Sequence, residues 1–205
     1  MKDNLTEIIC VVDKSGSMEL RTNDVIGGFN QFLKDQKGFP GEATLTLTLF
    51  DTAYKIVHNG TPLAAVPQLT KKTYMPGGMT ALLDAVGKTI DEVGHRLHNT
   101  QEADRPGKIL FLIITDGEEN SSREYRLDQI REKIKHQQEA YKWDFVFLGA
   151  NQDAFAGADN LNIPTSNAMN FKDTSAGIRD AYRNISACAM SYRSSGKVAL
   201  DESKE

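Results

Sequence analysis

Asp13, Ser15 and Ser17 stand at alternate positions directly behind the apolar run Ile8-Ile9-Cys10-Val11-Val12. Alternate residues of an extended turn face the same side, so one carboxylate and two hydroxyls converge while Gly16 lets the backbone bend between them. Hard oxygens of this kind suit a hard divalent cation. Mg²⁺ takes octahedral coordination at about 2.0 to 2.1 Å and usually keeps several waters, so these three groups supply half a site. A simple helix N-cap is the competing explanation, because serine-rich turns are common before helices. Two other segments offer more oxygens. In Met75-Pro76-Gly77-Gly78-Met79-Thr80 a Gly-Gly turn brings Thr80 to the start of a helix-periodic stretch, and the apolar run Ile109 to Ile114, closed by Thr115, stops at Asp116.

Asp-x-Ser-x-Ser, then a lone Thr, then a lone Asp, resembles the metal-ion-dependent adhesion site (MIDAS) of von Willebrand factor A-type domains. The likeness covers roughly residues 6–190, and Asp13, Ser15, Ser17, Thr80 and Asp116 fill the five positions in order. It implies a Rossmann-like α/β fold, with an open, mostly parallel six-stranded sheet in the order 3-2-1-4-5-6, strand 3 antiparallel at the edge and helices on both faces. It also implies a function. In adhesive members of the family the cation keeps an open position that an Asp or Glu of a protein partner fills, so the ion is a bridge and not a catalyst. For this chain the resemblance points to a stand-alone module of the bacterial or phage type, holding Mg²⁺, with Mn²⁺ or Ca²⁺ as alternatives. Asp116 fits the motif as a direct ligand or through water, and movement of the last helix on binding stays open.

The main alternative is a Mg²⁺-dependent hydrolase or phosphatase using the same strand-end aspartates. Haloacid dehalogenase-type phosphatases need a second acid two positions after the first, and Ser15 stands there. No Gly-x-x-x-x-Gly-Lys loop is present, and no Gly precedes the serines in the way a nucleophile elbow requires. His95 and His98 sit at helical spacing without a third ligand and read as surface residues. The chain is therefore expected not to be an enzyme.

Composition agrees with an ordinary domain. The 205 residues carry 40% hydrophobic and 25% charged side chains, with a net charge of −4. That balance lacks the basic footprint of a nucleic-acid binder. No apolar run approaches the ~20 residues of a membrane helix, and no leader segment is visible at the start. Cys10 and Cys188 read as buried, reduced thiols, which suits the cytoplasm. With no heptads or large apolar patch legible, the expected free state is a monomer. Residues 1–193 are read as one domain and 194–205 as a mobile polar tail.

The elements that must position these groups follow in order. Thr6 to Val12 is a strand buried on both faces, Met18 to Asp24 a loop, and Val25, Ile26, Phe29, Phe32 and Leu33 mark a helix ending near Gly38. Ala43 to Phe50 alternates as a strand, Ala53 to His58 returns beside it at the edge, and Thr61 to Leu69 is irregular. Thr80 to about His98 is an amphipathic helix, and Thr80 is expected to do two jobs there, capping the helix and coordinating the ion. A polar loop leads into the strand Ile109 to Thr115. The acidic run Glu118 to Ser122 reads as a flexible connection to a helix from about Glu124 to Glu139 with Leu127, Ile130 and Ile134 inward. Trp143 to Leu148 is a strand. Gly149 to Asp153 then opens a short helix, with Gly149 and Asn151 weighed as neighbours of the metal loops. Ser166 to Phe171 is the sixth strand, and Asp173 caps a last helix bearing Ile178, Tyr182, Ile185, Ala189 and Tyr192. Glu19, Asp51, Glu118 and Glu119 share the metal rim, as solvated acids or as groups that select a partner with basic neighbours, and Lys14 points to solvent.

Overall fold

A computed structural model describes residues 1–150 and 154–200. Its centre is strand β1 (Lys2–Asp13), whose side chains alternate between two cores. Ile8, Cys10 and Val12 enter one core, and Ile9 and Val11 the other, which is why the run is continuously apolar. The other strands are β2 (Glu42–Phe50), β3 (Tyr54–Pro62), β4 (Pro106–Thr115), β5 (Asp144–Ala150) and β6 (Ala168–Phe171). They form one sheet in the order β3-β2-β1-β4-β5-β6. Only β3 runs antiparallel, at the edge, as the resemblance implies.

Helices α1 (Thr22–Gly38) and α5 (Ser175–Ser195) cover the first core, and α2 (Leu82–His98), α3 (Leu127–Tyr141) and α4 (Ala154–Asn160) the second. All five inward residues expected on α5, from Ile178 to Tyr192, are buried. Arg193 clasps α5 to the end of α1, donating to the carbonyls of Gln36 (2.6 Å) and Gly41 (2.8 Å). Among the described residues no helix is long and apolar enough to cross a membrane.

Several local expectations need correction. The stretch expected as a loop after Ser17 is a 3₁₀ turn (Gly16–Arg21) running straight into α1. Leu127 is exposed, because α3 begins there and only Ile130 and Ile134 reach the core. Thr174, not Asp173, caps α5, its Oγ1 accepting from the Gly177 N–H at 3.0 Å. Asp173 is instead held by Arg21, through Nε to its carboxylate and Nη2 to its carbonyl, both at 2.7 Å. Beyond α5, Val198 and Leu200 are partly buried and pack against the first core. Asn151 lies outside the described residues.

Candidate metal centre

The register brings the first and fourth strands together at their carboxyl ends. Val12 lies opposite Ile114, so Asp13 comes level with the end of β4. Ligands on open α/β sheets sit in this crevice beyond the strand ends. Asp13 is fully buried, and both its oxygens are engaged: Oδ1 accepts the Ser15 N–H at 2.6 Å and Oδ2 accepts the Thr115 hydroxyl at 2.6 Å. Its carbonyl accepts the buried Tyr74 hydroxyl at 2.7 Å. The Ser15 and Ser17 hydroxyls lie 2.9 Å apart, and Ser17 Oγ donates to Asp116 Oδ1 at 2.8 Å. Thr80 is buried, and its Oγ1 faces Gly117 closely enough that a Cβ there would stand 3.0 Å from it. All five residues named from the sequence therefore meet at one strand-end crevice.

Three loops make this meeting, and backbone hydrogen bonds lock them. Lys14 N–H donates to the Phe50 carbonyl (2.7 Å), Gly77 N–H to the Lys14 carbonyl (2.9 Å), and Gly16 N–H to the Gly78 carbonyl (3.1 Å). Gly78 adopts φ of 68°, a left-handed conformation open to glycine, and a Cβ there would also press on Thr52. This explains the second glycine of the Gly-Gly pair ahead of Thr80, whereas a Cβ at Gly77 would meet nothing within 4 Å.

Thr80 does not cap α2. The N–H groups of Leu83 and Asp84, unpaired within the helix, are taken by Glu119 Oε2 (2.9 Å) and Ser122 Oγ (3.1 Å) from the loop after β4. The Thr80 side chain is thereby left to the crevice. Asn120 holds the Thr80 backbone from both sides, accepting its N–H at Oδ1 (2.9 Å) and donating its own N–H to the Thr80 carbonyl (3.0 Å). The run expected as a flexible connection is thus a tightly bonded clamp. Glu119 also accepts from the backbone of Ser121 and Ser122, and Asp84 from that of Arg123, Glu124 and Tyr125. Lys14 is not directed to solvent: it pairs with Asp51, whose other oxygen accepts the Ala53 N–H at 2.8 Å. Of the four acids assigned to the rim, two are consumed by the protein itself, and Glu19 and Glu118 remain exposed.

Burial sets the electrostatics of the crevice. Burial raises the Asp13 carboxyl to about 6, against the pull of its Thr115 and Ser15 hydrogen bonds. Burial also raises Asp116, opposed by the Ser17 hydroxyl. Among the described residues neither carboxylate is paired with a Lys, Arg or His. Burial, with Tyr182 and Asp13 nearby, pushes the Tyr74 hydroxyl well up, so it remains a donor. One buried and one partly buried carboxylate thus lie among three hydroxyls in an all-oxygen set, and a hard divalent cation would fit that chemistry. Tyr74, Thr115 and Asn120 hold these groups in place and were not assigned from the sequence, whereas Glu119, expected on the metal rim, binds backbone N–H groups of α2 and of its own loop. Only Thr115, a hydroxyl next to Asp116 at a strand end, left a visible signal.

No protein-family model matches the sequence, and no curated protein is similar to it in sequence. Solved structures match its architecture. Proximal thread matrix protein 1 from the mussel byssus matches at a TM-score of 0.63 and 13% identity, over 91% of this chain and 49% of that one. In another structure of the mussel protein, matched at 0.62 and 12% identity, zinc occupies a MIDAS motif. A von Willebrand factor type A structure from Catenulispora acidiphila matches at 0.60 and 12% identity, over 92% of this chain and 43% of that one. The chain spans about half the length of these structures. Identities this low speak to architecture alone, and on that ground the chain has the fold of a von Willebrand factor A-type domain.

Proposed function

We propose that this chain is a metal-dependent protein-interaction module. Asp13, Ser15, Ser17, Thr80 and Asp116 would hold one divalent cation, Mg²⁺ by the hardness of the oxygen set, with Mn²⁺ or Ca²⁺ able to replace it. The ion supplies a concentrated positive charge with a coordination position left for an Asp or Glu of a protein partner. The observation that carries this reading is the convergence of a buried and a partly buried carboxylate with three hydroxyls, without a basic side chain among the described residues to balance them. With only two formal negatives around it, a divalent ion remains attractive to a third carboxylate.

A catalytic reading is less well supported. A haloacid dehalogenase-type phosphatase needs a second acid two positions after the first, and Ser15 stands there, its N–H and the Thr115 hydroxyl fixing the Asp13 carboxylate. That arrangement suits a fixed ligand. Cytoplasmic residence is supported by Cys10 and Cys188, both buried and free. The net charge of −4 supports a protein partner over a nucleic acid.

The test is a Mg²⁺ and Mn²⁺ titration of the wild type, Asp13→Ala and Asp116→Ala, followed by affinity capture with and without chelator. Metal uptake lost in the variants, with chelator-sensitive capture of a protein, is the expected result. Capture that persists in chelator would overturn the bridging mechanism.

A further inference from the structure

Arg21 joins the turn that carries Ser17 to a fourth loop, the one between β6 and α5. It closes the 3₁₀ turn that starts at Gly16, four residues beyond Ser17. Its Nε donates to Asp173 Oδ1 and its Nη2 to the Asp173 carbonyl, both at 2.7 Å. The sheet brings Asp173 to the same end as Asp116. Thr115 lies opposite Gly149 and Gly149 opposite Asn170, and the two acids follow the last residues of β4 and β6 by one and two positions. One turn therefore reaches both acids, Ser17 bonding Asp116 and Arg21 bonding Asp173. The Asp173 charge acts on Asp116: burial raises the Asp116 carboxyl most, the Ser17 hydroxyl opposes the rise, and Asp173 adds to it.

Behind this pair the charges cancel. Asp173, and after it Asp24, favour the charged Arg21 guanidinium. Asp24 in turn accepts the Ser175 hydroxyl at 2.7 Å and lies 3.9 Å from Arg179. Two acids thus face two arginines, and the cluster adds no net charge beside the crevice. Arg21 and Asp173 are 25% and 30% exposed, which makes their pairing a weak contributor to stability but leaves their fields only partly screened. A divalent ion held by Asp13 and Asp116 is balanced by two carboxylates. A third, unneutralised one would grip the ion harder, make the site net negative and repel an incoming Asp or Glu. We propose that Arg21 tunes the crevice by cancelling the charge of Asp173, which keeps the cation exchangeable and attractive to a partner's carboxylate. Both residues act through charge and not as ligands. This inference rests on the metal reading above.

The test measures Mg²⁺ affinity by calorimetry and Mn²⁺ affinity by electron spin resonance on the full chain. The proteins are the wild type, Arg21→Gln, Arg21→Lys, Asp173→Asn and the double variant Arg21→Gln, Asp173→Asn. Arg21→Gln removes a positive charge and should tighten binding by roughly threefold to tenfold, whereas Asp173→Asn removes a negative one and should weaken it by a similar factor. The double variant and Arg21→Lys should stay near the wild type, and the differences should shrink as salt is raised toward about 1 M. A purely structural clasp does not give opposite signs. Weaker binding in both single-charge variants and in Arg21→Lys would show that the pair only holds the Ser17 turn, overturning the inference and leaving the metal reading standing. Wild-type affinity in every variant at low salt would overturn it as well. No Mg²⁺ or Mn²⁺ uptake by the wild type would remove the metal reading and the inference together.

Discussion

Asp13 carries an ionised form that burial disfavours and a cation would restore. Its carboxyl titrates at about 6 in the folded protein, above the ordinary aspartate value of 3.8. Between these values the folded, metal-free protein binds a proton that the unfolded chain does not. Its stability therefore rises as pH falls through 6 toward 4, and ionised Asp13 costs on the order of 2 to 3 kcal/mol at neutral pH. A bound cation favours the carboxylate, so the metal-loaded protein has the opposite slope and releases metal as pH falls through the same window. Thermal unfolding of the wild type against Asp13→Asn, with chelator and with Mg²⁺, isolates the effect of this ionisation. A wild-type difference of the same sign in both conditions would refute it. A second effect belongs to Asn120. Its carbonyl oxygen is the acceptor that fixes the Thr80 N–H, so Asn120→Ala is expected to weaken Mn²⁺ binding by roughly tenfold to a hundredfold, as for other groups that orient metal ligands. Asn120→Asp keeps the acceptor and should retain wild-type affinity; equal loss in both variants would show that the hydrogen bond is not what positions Thr80.

The elements were legible in proportion to how local their causes are. The runs Ile8 to Val12 and Ile109 to Ile114 announce two-sided burial by themselves, and the periodicity from Leu82 to Leu97 announces a helix. The five crevice residues were legible because each lies at the end of such an element. The errors fall where a partner comes from far along the chain. Thr80 looked like a cap because nothing nearby reveals that Glu119 and Ser122, almost 40 residues later, serve α2. Asp173 looked like a cap because its pairing with Arg21 spans 152 residues. The seating of α5 on α1 is equally hidden, yet it makes a sharp forecast. A Cβ at Gly28 would lie 2.3 Å from Tyr182 Cδ2, whereas one at Gly27 meets nothing within 4 Å. Gly28→Ala should therefore destabilise by about 1 to 3 kcal/mol through overpacking. Gly27→Ala, one residue earlier in the same helix, should stabilise by up to about 1 kcal/mol. Denaturant midpoints of the two variants check this, and similar shifts for both would mean that α5 does not press on α1 at this point.

At the scale of the whole molecule, the crevice is where three otherwise separate loops are tied. They follow β1, precede α2 and follow β4, and each contributes at least one of the five oxygens. A cation bound to all three engages only the folded chain, since unfolding scatters its ligands over more than a hundred residues of sequence. Binding of that kind stabilises by mass action, by about 2.7 kcal/mol when the free metal is a hundredfold above its Kd. For a domain of this size each kcal/mol moves Tm by about 2 to 4 °C. Mg²⁺ at that excess is therefore expected to raise Tm by roughly 5 to 10 °C over the chelated protein, in a single cooperative transition, because both cores share the sheet whose end the metal would tie. Asp116→Ala should abolish the increment while leaving the chelated Tm near that of the wild type, since Asp116 is only partly buried and bonds to Ser17 at the open side of the crevice. Scanning calorimetry across a metal series measures both. A wild-type Tm indifferent to millimolar Mg²⁺, Mn²⁺ and Ca²⁺ would mean that the crevice holds no such ion and that its hydrogen bonds alone hold the three loops.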